Sequence, residues 1–256
     1  TVDISNKTKT TKGIDIVMAI DVSGSMLAKD LKPDRMQALK KLASDFVEER
    51  PNDRIGLVVY ASEAYTKTPV TSDKAVILDA IRSIKYDNVL VDGTGIGMGL
   101  ATAVNRLKDS KAKSKVVILM TDGVNNAGFI EPDTASDIAK QYGIKVYTIG
   151  IGTNGMAMFP YAIAPNGKFL FQMMKVEIDE QMMRKIANNT GGKYFRATSN
   201  SKLAEIYATI NKLETTEIEE LKFYDYDEKF RPFVWLAGFL LLFELGLRNT
   251  VFKSFI

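Results

Sequence analysis

IDIVMAI (14–20) is a short, nearly continuous apolar run that leads straight into DVSGS (21–25). An apolar run of this length is the pattern of a strand buried on both faces of a sheet. DRIGLVVYA (53–61), KVVILM (115–120) and IKVYTIGI (144–151) repeat it. Between these runs, apolar residues recur at helical spacing. Met36, Leu39, Ala43, Phe46 and Val47 share one face of a helix expected to open at Pro33. Val76, Ile77, Ala80, Ile81 and Ile84 follow Ser72-Asp73, a pair suited to capping a helix. Leu100, Ala103, Val104 and Leu107 mark a third helix, and Ile138 and Ala139 a shorter fourth ending at Gly143. Two more are expected around 179–189 and 201–214. Buried strands alternating with amphipathic helices predict an α/β fold, a Rossmann-like doubly wound, mostly parallel sheet. KYFRAT (193–198) supplies a last strand, and TKTPVT (66–71), interrupted by Pro69, fits only an edge.

Outside this pattern the chain divides by composition. Residues 1–13 are polar, rich in Thr and Lys, and read as a tail or linker ahead of a domain over 14–214. Residues 153–178 break the alternation, and YAIAP-NG-KFLFQ reads as a hairpin insertion turning at Asn166-Gly167. The clustered methionines Met156, Met158, Met173, Met174, Met182 and Met183 suit either an adaptable surface or core filling. An acidic, aromatic juxtamembrane stretch (215–231) precedes an apolar segment expected to form a transmembrane helix over 232–248. Its apolar part (232–247) reaches about 24 Å at helical rise, against a bilayer core of about 30 Å. A buried or lipid-surface helix is the other reading of that segment.

The 256 residues contain neither Cys nor His, which excludes thiolate and imidazole metal sites, iron–sulfur clusters, disulfides and histidine general bases. Any metal is held by oxygen. With 34 Lys+Arg against 31 Asp+Glu, no strong overall field favours nucleic acid. Three loops carry the candidate chemistry: Asp21-Val22-Ser23-Gly24-Ser25, Asp92-Gly93-Thr94-Gly95 and Thr121-Asp122-Gly123. They meet at the topological switch point if the first and central strands are neighbours and the strand order reverses between them. That would gather the carboxylates of Asp21 and Asp122 and the hydroxyls of Ser23, Ser25 and Thr94, with no Lys or Arg in these loops to neutralise the acids. Hard oxygen donors of this kind suit Mg²⁺ or Mn²⁺. Catalysis finds little support. There is no GxxxxGK[ST] phosphate loop, and the glycines of 93–99 do not match dinucleotide-loop spacing.

DVSGS, the Thr of DGTG and the later TDG together resemble the metal-ion-dependent adhesion site of von Willebrand factor A domains. The wider chain, from about residue 13 to 250, is similar to the bacterial BatA/BatB-type aerotolerance branch of that family. GIDIVMAIDVSGSM, DRIGLVVYASEAYTKTPVTSD and SKVVILMTDGVNNAG carry the likeness. The resemblance implies a von Willebrand factor A fold with Ser23, Ser25 and Thr94 as direct metal ligands. Asp21 and Asp122 would act largely through bound water, and one coordination position would stay open for a partner's Asp or Glu. It also implies membrane helices ahead of the domain, so the chain is expected to begin after one, anchored at a bacterial inner membrane with its domain in the periplasm. A MoxR-type AAA+ ATPase and sibling Bat proteins are the implied partners, and aerotolerance or envelope maintenance the implied role. A metal-independent membrane scaffold and a Mg²⁺-dependent phosphohydrolase are the competing readings.

Overall fold

A computed structural model describes residues 13–86, 93–153, 155–165, 167–176, 178–219 and 231–250. The tail residues 1–12, Asp92, Asn166 at the expected hairpin turn and residues 220–230 of the juxtamembrane stretch lie outside the described residues. The chain divides into two compact units, one of Lys12–Glu214 and one of Thr1–Thr11 with Thr215–Ile256.

In the larger unit the apolar runs become strands. β1 (Asp15–Asp21), β2 (Arg54–Tyr60), β4 (Lys115–Thr121) and β5 (Lys145–Ile151) are parallel and almost wholly buried. β3 (Ala64–Thr71) pairs antiparallel with β2, and the short β8 (Tyr194–Ala197) pairs parallel with β5. The order is β3-β2-β1-β4-β5-β8. Pro69 accordingly sits on an edge, where its missing N–H breaks no ladder. The mostly parallel α/β sheet expected from the sequence is therefore present.

Helices α1 (Arg35–Glu48), α2 (Lys74–Arg82), α3 (Ile96–Leu107), α4 (Pro132–Gln141), α5 (Glu180–Asn189) and α6 (Asn200–Glu219) follow the strands. α1 opens two residues later than expected, because the Asp34 side chain accepts the Gln37 backbone N–H (2.8 Å) and caps the helix. Asp73 caps α2 in the same way, accepting from Ala75 and Val76. One core layer joins Val17, Ala19, Val58, Val117 and Val146 of the sheet to Ile96, Leu100 and Val104 of α3. Each such aliphatic side chain contributes about 1.5–3 kcal/mol when fully buried. Packing is tight enough that a Cβ on Gly97 would lie 1.9 Å from the Ile130 carbonyl oxygen.

Two strands stand apart from this sheet. Among the described residues, β6 (Gly155–Ile163) and β7 (Phe169–Val176) pair only with each other, antiparallel. Met156, Met158, Met173 and Met174 are exposed on this hairpin, whereas Met183 is buried and Met182 packs on the core. The methionine cluster thus splits between surface and core.

In the smaller unit, α7 (Arg231–Thr250) exposes Val234, Trp235, Leu236, Phe239, Leu240, Leu241, Leu242, Phe243 and Leu245. The transmembrane span expected over 232–248 is not supported: no helix among the described residues is long and apolar enough to cross a membrane. The apolar run is short, and Arg231, Glu244 and Arg248 fall within the helix.

Candidate metal centre

β1 and β4 are adjacent, and β2 and β5 lie on opposite sides of them, so the strand order reverses where these two end. β1 delivers Asp21 there, fully buried, and β4 delivers Asp122 one residue beyond its end. After Asp21 the chain enters a 3-10 turn (Gly24–Leu27) in which the Met26 N–H bonds the Ser23 carbonyl. This turn brings Ser23 and Ser25 together, their Oγ atoms 2.9 Å apart. The Ser25 hydroxyl donates to Asp122 Oδ1 (2.6 Å). Asp21 holds the turn in place: Oδ1 accepts the Ser23 N–H (2.9 Å) and Oδ2 accepts the Thr121 hydroxyl (2.7 Å).

Thr94 is buried on the third loop, its Oγ1 3.4 Å from where a Cβ on Gly123 would lie. Two residues that the motif does not include hold that loop. Asn126 Oδ1 accepts the Thr94 N–H (2.8 Å), and Asn125 Oδ1 accepts the Ile96 N–H at the start of α3 (2.8 Å). The pair Asn125-Asn126, one residue beyond TDG, was the available signal, since Asn side chains readily bond nearby backbone.

Arg35 corrects the sequence reading. The three loops contain no basic residue, but the acids are not both unpaired, because Arg35 reaches in from α1. Its Nη1 lies 2.7 Å from Asp122 Oδ2, and both groups are almost entirely buried. Its Nε and Nη2 form a fork on Asp30 Oδ1 and Oδ2, at 2.7 and 2.6 Å. The signal was in the pattern: Arg35 shares the buried stripe of α1 with Leu39, Ala43 and Phe46, where an arginine needs a buried partner.

The electrostatics still favour a cation. Burial first, and then the charge of Asp122, push the Asp21 carboxyl up to about 7, against the pull of its bonds to Ser23 and Thr121. Burial also raises Asp122, with Arg35 and Ser25 opposing. One guanidinium shared with Asp30 leaves these two acids undercompensated. The donors present, three hydroxyls and two carboxylates, fit a hard divalent ion. Among the described residues no group of three acidic side chains is placed to hold a metal, so such an ion would depend on the hydroxyls.

Residues 15–209 match the von Willebrand factor type A domain family. The chain belongs to that family. Solved von Willebrand factor A relatives include BatB from Bacteroides thetaiotaomicron, at 30% identity and TM-score 0.67, covering 79% of this chain and all of that one. An aerotolerance-related membrane protein from Bacteroides fragilis is similar at 27% identity and TM-score 0.68, over 80% of this chain and all of that one. An uncharacterized protein of Borreliella burgdorferi is 31% identical over 90% of this chain and 67% of its own length. The chain spans 59% of the length of a Mycobacterium avium relative that is 28% identical over 77% of this chain. The BatA/BatB-type resemblance fits these relatives. A mussel byssus matrix protein with zinc in its own adhesion-site motif shares the fold at 24% identity and TM-score 0.61, over 78% of this chain and 45% of that one.

Proposed function

We propose that this chain is a protein-interaction module, not an enzyme, that captures an Asp or Glu side chain of a partner protein at a Mg²⁺ or Mn²⁺ centre. The observation that carries the reading is the chain of oxygens Ser23–Ser25–Asp122 at the switch point, beside the buried and undercompensated Asp21. Ser23, Ser25 and Thr94 would hold the ion, and Asp21 and Asp122 would fix the hydroxyls. When bound, the ion supplies a Lewis-acidic seat for an incoming carboxylate. The protein's own groups do the rest. Asp21 locks the turn through the Ser23 N–H, and Asn126 and Asn125 lock the Thr94 loop. Ser25 is the half-exposed member, so an approaching side chain reaches the site past it.

The Bacteroides relatives support an aerotolerance role with sibling Bat proteins as partners; a MoxR-type AAA+ ATPase partner and a role in envelope maintenance rest on the family resemblance alone. The apolar surface of α7 and the membrane relative support attachment to a membrane; the inner membrane, with the domain on the periplasmic side, rests on the family resemblance alone. The test is Mg²⁺ titration of the purified chain, followed by capture of partners from membranes in Mg²⁺ and in EDTA. Native protein should bind the ion and release its partner in EDTA, and Asp21→Ala should bind neither ion nor partner. The exposed hairpin residues Met156, Tyr161 and Met173 favour one second reading, a metal-independent scaffold. Capture that survives both EDTA and Asp21→Ala would select it.

A further inference from the structure

We propose that Arg35 is a positioning residue that keeps Asp122 from binding the metal directly, leaving the ion dependent on an outside carboxylate; this rests on the metal reading above. Both oxygens of Asp122 are already engaged, Oδ2 by Arg35 Nη1 and Oδ1 by the Ser25 hydroxyl. Each oxygen keeps a further lone pair, but a cation bound there would sit within a few ångströms of the guanidinium, on a carboxylate whose charge that guanidinium already shares. The Arg35 bond is buried, and breaking such a pair leaves an uncompensated charge.

Arg35 cannot swing aside to release it. Its other two donating nitrogens are clamped on Asp30, whose Oδ2 also accepts the Thr153 N–H (2.8 Å) and whose Oδ1 accepts the Leu31 N–H (3.2 Å). The backbone of Gly152 closes the remaining side. A Cβ there would sit 2.5 Å from Arg35 Nη2, and its φ of +113° suits glycine. The guanidinium is therefore fixed from both directions, with one N–H fork on Asp30 and one arm on Asp122.

For the bound ion the consequence is chemical. Hydroxyls are neutral donors, and a carboxylate held back by a guanidinium lends them its charge only indirectly. The nearby positive charge also repels the cation. Arg35 thus weakens metal binding by the domain alone and increases the ion's demand for a partner's carboxylate. In this account the residue tunes partner dependence rather than only bracing the fold.

Mn²⁺ alone is the probe, with the full chain and its Arg35→Met and Arg35→Lys variants. Affinity is read from the electron paramagnetic resonance of free Mn²⁺, and the exchangeable waters on bound Mn²⁺ from water-proton relaxation. Arg35→Met should bind Mn²⁺ about tenfold more tightly or better, given the strength of a charge interaction at a few ångströms. It should also carry fewer exchangeable waters, because Asp122 displaces one. Arg35→Lys should stay near the native protein in both. If Arg35→Met does not fold, the double variant Asp30→Asn/Arg35→Met removes the stranded acid and is read identically. A folded variant with native affinity and native water number overturns the inference while leaving the metal site standing. Failure of the native chain to bind Mn²⁺ removes the metal reading and this inference with it.

Discussion

Asp21→Asn should stabilise the metal-free protein at pH 8 and do nothing of the kind at pH 5. The folded protein holds the Asp21 carboxyl near pKa 7, against 3.8 for the unperturbed group, because the side chain is buried beside Asp122. Below about pH 4 both folded and unfolded chains carry this proton. Between about 4 and 7 the folded chain holds a proton that the unfolded chain has released. Stability from this group therefore falls as pH rises through that window and is lowest above 7. A gap of roughly three pKa units is worth on the order of 4 kcal/mol. The amide removes that charge but must exchange its bond with Thr121, costing about 1 kcal/mol. The net gain at pH 8 in EDTA is about 3 kcal/mol. Urea unfolding followed by far-UV circular dichroism, at pH 5 and pH 8, measures it. Saturating Mg²⁺ at pH 8 should then stabilise the native protein and leave the variant unmoved. An equal effect of Asp21→Asn at both pH values, or no gain at pH 8, would refute the picture of a buried anion awaiting a cation.

Ser25→Ala leaves Asp122 Oδ1 and the Ser23 hydroxyl without their partner; it should cost about 1–2 kcal/mol and abolish the rise in Tm on adding Mg²⁺. Gly97→Ala drives a methyl into the Ile130 carbonyl, so differential scanning fluorimetry should show Tm lower by about 10 °C, or no soluble protein. Glu214→Ala removes the buried carboxylate that binds the Tyr147 hydroxyl and the Lys145 ammonium at 2.6 and 3.2 Å; chemical denaturation should register a loss of about 3 kcal/mol.

Much of the fold was legible because buried parallel strands write themselves as unbroken apolar runs. Ile16 to Ile20 and Val116 to Met120 could hardly belong to anything else, and Pro69 marked its own strand as an edge. Of the candidate site, the short-range part was readable: Asp21, Ser23 and Ser25 lie within one turn, and Asp122 follows the neighbouring strand. What escaped depends on long-range placement. Arg35 lies 87 residues from the carboxylate it neutralises, and a loop-by-loop search for basic groups does not find a helical arginine pointing back under the turn. Asn126 holds the Thr94 N–H and Asn125 the Ile96 N–H across about thirty residues, through side-chain-to-backbone bonds whose spacing is set only by the fold. The C-terminal segment misled for a different reason. Its apolar stretch invites a membrane span, but interrupted by charge at its ends and at Glu244 it falls short of one among the described residues.

The central claim is that Ser23, Ser25, Thr94, Asp21 and Asp122 together hold one divalent ion. An anomalous difference map from crystals of this chain grown with Mn²⁺ tests it most directly. The account predicts a single strong peak within bonding distance of the Ser23, Ser25 and Thr94 hydroxyl oxygens, absent in crystals of Ser23→Ala. A map without a peak there, or one whose peak persists in that variant, would contradict it.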